Sequence, residues 1–402
     1  MAGGRDASLG AVRRLLLLVS SLVLVDTMLY AALTPMLPRF AHDLHLSKGG
    51  AGTLVAAYAA GALVAGLPAG RATVRFGPRR AVLAGLALMG LASVAFAFAG
   101  GYPTLLAARV FQGAGSAFTW AGAFAWLLHA AGERRGELIG KAMGAAVVGG
   151  LLGPVIGAAG DLAGRGPVFA ALATLELGLA VITLRVQAPP SQPSRATLTG
   201  ALRNHGLLTG LAIMTTASLL FGVLAVLAPL RLAAAGWGAV AIGGMWLVSA
   251  ALEAVESAPL GRLSDRLGAM VPIRYALLGS LLVSLALAGG TGAVIYAVLV
   301  VFAGAAYGAL FTPAFALISE GAEHAGLAQG IAFGLMNGAW AAGAMLGPAA
   351  GGAIAETTGD TVPFMLAGAL CVGALLTIRT VSPARFTPAG LAPPTSGRRA
   401  GD

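Results

Sequence analysis

Charge is what this sequence has least of. Only 10% of its 402 residues are Asp, Glu, Lys or Arg, against roughly a quarter in an ordinary soluble domain, and that scarcity excludes a water-soluble globule of this length. Cysteine is scarcer still. Cys371 stands alone, so neither an internal disulfide nor a cysteine-based metal cluster can form within the chain. No HExxH, GxSxG, CxxC or Walker loop occurs, and the string GAGSAF at 113–118 lacks the third glycine of a dinucleotide fingerprint and any strand before it. Neither His129 nor His324 has a metal-like neighbour. An enzyme, a metal site and a cofactor are therefore not expected, and the lack of a basic patch interleaved with aromatics argues against a nucleic-acid partner.

What fills the chain instead is apolar. It is 58% hydrophobic with 60 Gly, its mean hydropathy is +0.87, and apolar runs of about 20 residues, each able to cross a hydrocarbon core as a helix, recur from Leu15 to Leu376. The alternation of a membrane barrel is not visible. The pattern predicts an all-α integral membrane protein with spans at 14–37, 51–70, 79–99, 103–129, 138–159 and 167–185, then 207–231, 239–260, 271–289, 292–318, 327–354 and 362–380. The Pro/Ser-rich stretch from Arg185 to His205 interrupts them after the sixth. This divides the chain into an N-terminal six-helix half (1–186), a linker (187–206), a C-terminal six-helix half (207–380) and a tail (381–402) expected to be disordered.

Lys and Arg set the orientation. With the N-terminus inside, only Arg39, Lys48, Arg165 and Arg231 face outward, Arg109 lies within a helix, and the other twenty of 25 fall inside. Linker, tail and both termini are then cytoplasmic, in the cell's inner (plasma) membrane, and the net charge of +10 reflects attraction to anionic lipid. The first apolar segment is too long for a typical signal peptide and carries Asp26 and Pro35, so it reads as the first span.

Two strings repeat. GRATVRFG at 70–77 is echoed by GRLSDRLG at 261–268, 191 residues on, and GLLGPVIGA at 150–158 by AMLGPAAGG at 344–352, 194 residues on. Near-equal offsets imply a duplicated unit. The first pair is rich in Arg, which stays among the headgroups, and Gly77 and Gly268 allow a tight turn. Asp265 can pair with an Arg or cap a helix in one conformation only, which Val74 cannot. In the second pair, Gly149, Gly153 and Gly157 place small residues on one face while Pro154 bends the helix; Gly347 and Pro348 repeat the element.

These elements carry a resemblance. The chain resembles transporters of the major facilitator superfamily, and within them the twelve-span drug:proton antiporter branch. The loop signature Gly-x-Leu-Ala-Asp-Arg-x-Gly-Arg-Lys is matched by Gly261, Leu263, Asp265, Arg266 and Gly268, and less fully by Gly70, Arg75, Gly77 and Arg79. RVFQG, Arg109 to Gly113, is similar to the Arg-x-x-Gln-Gly signature, and GLLGPVIGA to the Gly-Pro signature of antiporters. The resemblance implies two six-helix halves related by a pseudo-two-fold, alternating access, and proton-coupled efflux of small lipophilic or cationic compounds by a monomer whose partners are lipids, protons and substrate. An uptake symporter, a facilitator and an exporter of a sugar or small metabolite stay open.

Ionisable groups inside spans are costly unless paired, protonated or wet, so they are the candidates for function. Asp26 and Arg109 lie at overlapping heights. Low dielectric favours a neutral carboxyl and an adjacent guanidinium favours the ion, so a pair that meets in one state and parts in another couples to protons, whereas a static pair is structural. Glu253 and Glu256, three apart, form a second candidate proton or cation site, although Glu256 also has the headgroups within reach. Tyr30, Phe118, Trp120, Glu176, Phe333, Met336, Asn337 and Trp340 are the candidates to line a central cavity.

Overall fold

The protein is described by a computed structural model covering residues 2–130, 135–186, 203–290, 292–327 and 329–380. The expected linker, apart from 203–206, and the expected tail lie outside these residues. Fourteen helices and no strand make up the described chain. The first seven are α1 (Ala2–Ala31), α2 (Leu33–Asp43), α3 (Lys48–Phe76), α4 (Pro78–Ala97), α5 (Tyr102–Ala130), α6 (Arg135–Leu162) and α7 (Arg165–Arg185). The second seven are α8 (His205–Ala234), α9 (Ala239–Leu267), α10 (Met270–Ala288), α11 (Ala293–Gly308), α12 (Phe311–His324), α13 (Gln329–Thr358) and α14 (Thr361–Thr380).

Two breaks have one cause. Pro35 and Pro313 lack the N–H that would bond the carbonyls of Ala31 and Ala309, and each interruption falls at that carbonyl, giving α1/α2 and α11/α12. Taken as continuous across those breaks, ten helical segments among the described residues are long and apolar enough to cross a membrane. The long helices α5 and α13 are not among the ten; they carry Arg109, Gln112, Ser116 and Asn337 and pack inside the bundle.

The two sets of seven repeat each other. Helix prolines Pro38 and Pro68 recur 191 residues later as Pro229 and Pro259, and Pro154 recurs 194 residues later as Pro348. Positive-φ turns recur likewise: Gly77 with Gly268, Gly164 with Gly359, and His45 (φ 50°) with Gly236 (φ 88°). Neighbours match as well. The α1/α2 rod packs on α6 as α8 packs on α13, α3 on α5 as α9 on α11, and α4 on α7 as α10 on α14. Between the sets, α3 meets α13 and α6 meets α9.

One expectation is corrected. The repeated Arg-rich strings are not loops: α3 runs through Gly70 and Arg75 to Phe76, and α9 through Gly261 and Arg266 to Leu267. Only Gly77 and Gly268 are non-helical, at φ 87° and 78°. A left-handed glycine ends each helix in one residue, so the charged segment stays helical up to it.

Candidate functional site

Asp26 sits on α1 and is 4% exposed. Its carboxylate accepts two hydrogen bonds, from Tyr58 Oη on α3 at 2.9 Å and from Trp120 Nε1 on α5 at 2.7 Å, with Ser116 beside it. Charge-assisted bonds of this kind are the strong ones in a dry interior. Arg109, 1% exposed, lies one step away. Its guanidinium donates to the backbone oxygens of Leu29 (3.3 Å) and Tyr30 (3.4 Å) and to Gln112 Oε1 (3.1 Å), and lies 4.8 Å from the centroid of the Tyr58 ring. Asp26 and Arg109 make no direct ion pair; Tyr58 joins them, with its hydroxyl on the acid and its ring face under the cation.

The backbone explains why Tyr58 reaches both. A Cβ on Gly61 would strike the carbonyl of Val110, and one on Gly113 would strike the carbonyl of Tyr58 itself. Only two glycines let α3 and α5 approach this closely, at the level where Tyr58 and Arg109 meet.

Aromatic side chains extend from this centre across both sets of helices. Tyr30 touches Tyr58 and Trp340, both at 5.1 Å between centroids, and Trp120 stacks on Phe124, Phe124 on Phe333 at 4.8 Å, with Phe315 on the far edge of Phe333. Met336 is buried and Asn337 half-buried on the same stretch of α13. Phe118 points elsewhere: it lines a separate crevice of 300 Å³ with Phe76 and Arg80. Glu176 is fully buried and packs against Gly90 of α4, apart from the aromatic wall.

In the second set, Glu253 rests on Gly308 of α11, the counterpart of the α3–α5 approach, and Glu256 keeps one buried oxygen, Oε1, without a partner. The Gly-Pro helices also carry close seams. On α6, Gly149 faces Leu24 O and Thr27, Gly153 faces Ala31, and Gly157 faces Ala32 O, while Pro154 O faces Gly243 of α9. On α13, Gly347 faces Leu219 of α8, and Pro348 lies between Gly222 of α8 and Gly52 of α3. At the end carrying the α2–α3 turn, Lys48 bonds Asp360 and Gly49 N donates to Glu356 Oε2 at 3.1 Å, tying α3 to the α13–α14 corner. At the other end, Arg79 bonds the carbonyl of Leu184, and Val74 and Arg75 are exposed. The Asp265 side chain lies outside the described set.

Nothing in the residue pattern singled out Tyr58, Ser93 or the Lys48–Asp360 bond. Gln112 did have one, as the glutamine of RVFQG. Among the described residues no three His, Cys, Asp or Glu converge as metal ligands.

Comparisons with known proteins agree with this layout. A family model described as Major Facilitator Superfamily matches residues 19–333. A probable vesicular acetylcholine transporter-B of Danio rerio is 39% identical over 115 residues, 26% of this chain and 23% of the relative, so the match spans about a quarter of that protein's length. Among solved structures, a D-xylose–proton symporter superimposes with a TM-score of 0.72 at 16% identity over 92% of this chain and 98% of that one. The nucleoside transporter NupG superimposes with a TM-score of 0.73 at 13% identity over 91% and 99%.

Proposed function

Since this chain belongs to the Major Facilitator Superfamily and is thereby a multi-pass membrane transporter rather than an enzyme, we propose that it is a proton-coupled antiporter exporting small lipophilic or cationic compounds. The observation that carries this reading is the Asp26 centre: one buried carboxylate, held by Tyr58 and Trp120, within an aromatic wall to which both helix sets contribute. A carboxylate framed by ring faces suits an organic cation, because the rings supply negative quadrupoles where the acid supplies charge. The stretch shared with a probable vesicular acetylcholine transporter supports the same substrate class.

In this reading α5 and α13 complete twelve spans, the termini are cytoplasmic and the Lys48–Asp360 end faces outward, as the bias of Lys and Arg supports. Asp26 takes a proton from the outside and gives it up inside before accepting substrate, so the two ligands exclude each other and exchange follows. Tyr58 passes the charge state of the acid to Arg109. Uptake or facilitated passage of a sugar or small metabolite is the second reading, and the half-buried amide of Asn337 beside Trp340 favours it, since a ring face and an amide together hold a hydroxylated ring.

Reconstitution into liposomes with a pH gradient imposed in either direction separates the two. Export predicts that a quaternary ammonium compound accumulates only when protons run down their gradient in the direction opposite to its movement, and that Asp26→Asn abolishes the accumulation while downhill exchange persists. Accumulation by Asp26→Asn sinks the assignment, and Glu253 with Glu256 then becomes the pair to test.

A further inference from the structure

Among the described residues Glu176 is the one fully buried carboxyl that the proposed exchange does not use. It lies on α7 against α4, is 0% exposed, and neither carboxylate oxygen has a hydrogen-bond partner. The polar side chain that acts on it is the hydroxyl of Ser93, itself 0% exposed. Ser93 Oγ accepts a bond from Gln112 Nε2 at 3.3 Å, and Gln112 Oε1 accepts one from Arg109 Nη1 at 3.1 Å.

The direction of this chain is fixed by chemistry. Arg109 has only donors, so the oxygen of the Gln112 amide must face it and the NH₂ must face Ser93. The oxygen of Ser93 is then occupied as an acceptor, and its own proton is left to point at Glu176. Every donor runs one way, from the cation through amide and hydroxyl to the carboxyl. A chain polarised in that sense strengthens itself when an anion stands at its far end. Arg109 Nε is also without a partner, so the cation at the head of the chain has donor capacity unspent.

We propose that Glu176 is a second proton-binding site of the transporter, linked to Arg109 by the Gln112–Ser93 chain, so that one guanidinium serves two carboxyls, Asp26 through Tyr58 and Glu176 through Gln112 and Ser93. In the described conformation Glu176 carries a proton, because an anion there would have no donor in bonding geometry. When the helices shift and Ser93 closes on it, the proton leaves and the chain holds the anion. The elements packed against α7 are α4, α1 and α6. Of their ionisable groups, Arg79 and Arg80 of α4, Arg13 and Arg14 of α1, and Lys141 and Asp161 of α6 lie toward the ends of the membrane-crossing segments. Among the described residues of these helices Asp26 and the Tyr30 hydroxyl, both of α1, lie at mid-depth, and Asp26 is the carboxyl of the two. Two separate buried carboxyls make two protons available to one transport cycle.

The test begins with infrared difference spectroscopy of the full protein in lipid, which does not depend on substrate or direction of transport. Carboxylic-acid C=O bands sensitive to D₂O are expected, and Glu176→Gln removes one of them while Asp26→Asn removes another. Ser93→Ala, a small change that spares the carboxyl, shifts the Glu176 band and leaves the Asp26 band in place. Retention of every band in Glu176→Gln overturns the proposal, and where that variant does not fold, an unchanged spectrum in Ser93→Ala does so. A second arm rests on the transport reading: gradient-driven flux against pH shows two inflections in the parent and one in Glu176→Gln. Two inflections in both proteins overturn the role in transport, whereas flux lost in every protein counts against the antiport reading and leaves the spectral result standing.

Discussion

Two glycines five residues apart on α3 make a sharp comparison. Gly61 and Gly66 share a helix, yet a methyl group on Gly61 would be driven into the carbonyl of Val110, while one on Gly66 meets nothing within 4 Å and faces outward from the bundle. Alanine gains helix propensity over glycine at both sites, by roughly 0.5–1 kcal/mol. At Gly61 that gain is set against overpacking, about 1–3 kcal/mol where backbone must move. Gly66→Ala is therefore expected to stabilise the protein by about 0.5–1 kcal/mol and Gly61→Ala to destabilise it by about 1–2 kcal/mol. Thermal unfolding in detergent should order the three proteins as Gly66→Ala, parent, Gly61→Ala, with a few °C between the extremes. Function should separate them further. Asp26 is held at once by Tyr58 of α3 and Trp120 of α5, so pushing α3 from α5 by even one ångström takes one of these bonds, now 2.9 and 2.7 Å, out of hydrogen-bonding range, and a bond to a charged group is worth about 1.5–3 kcal/mol. Gradient-driven flux should fall at least tenfold in Gly61→Ala and stay at the parent level in Gly66→Ala. Equal melting temperatures, or equal flux, would refute the claim that the α3–α5 approach holds the site together.

Tyr58→Phe keeps the ring under Arg109 and removes only the donor to Asp26, so coupled flux should drop about tenfold or more with melting near that of the parent; a flux loss matched by Tyr58→Leu alone would mean that the ring, not the hydroxyl, matters. Lys48→Met breaks the bond to Asp360, which is partly exposed and worth under about 1 kcal/mol, so labelling of a cysteine introduced near that end should quicken by only a few-fold; a change of a hundredfold, or none, argues against a closing bond of this strength. Asp265→Asn is expected to reduce flux more than Val74→Asn at equal membrane insertion, and equal activities remove the latch role drawn from the second Arg-rich string.

The helices could be read from the sequence because the bilayer imposes one rule throughout: long apolar runs, bounded by charge. Their ends could not. The Arg-rich strings suggested loops because charge usually marks the edge of the hydrocarbon, yet a helix continues into the headgroups at no cost until a left-handed glycine stops it, as Gly77 and Gly268 do. Asp26 and Arg109 stood out because ionisable groups in a span are rare. Tyr58 did not, since a tyrosine on an apolar helix is unremarkable until the rotation of α3 against α5 is known, and that rotation is set by Gly61 and Gly113 among 60 glycines. Phe118 and Trp120 show the same difficulty. Two residues apart on a helix, they look in nearly opposite directions, so only one of them could join Asp26.

The joint between Gly52 and the Pro348–Gly352 stretch has a mechanical consequence. Helices bearing large side chains interlock as ridges in grooves, and sliding one along another means lifting each ridge over the next. Here backbone lies on backbone, so the surfaces have almost no corrugation: translation meets little friction, while separation would forfeit the whole area of contact at once. Gly243 on Pro154 and Ala158 makes a second joint of the same kind. Two low-friction bearings that glide but resist opening let the helix sets slide and turn against each other while they stay in contact.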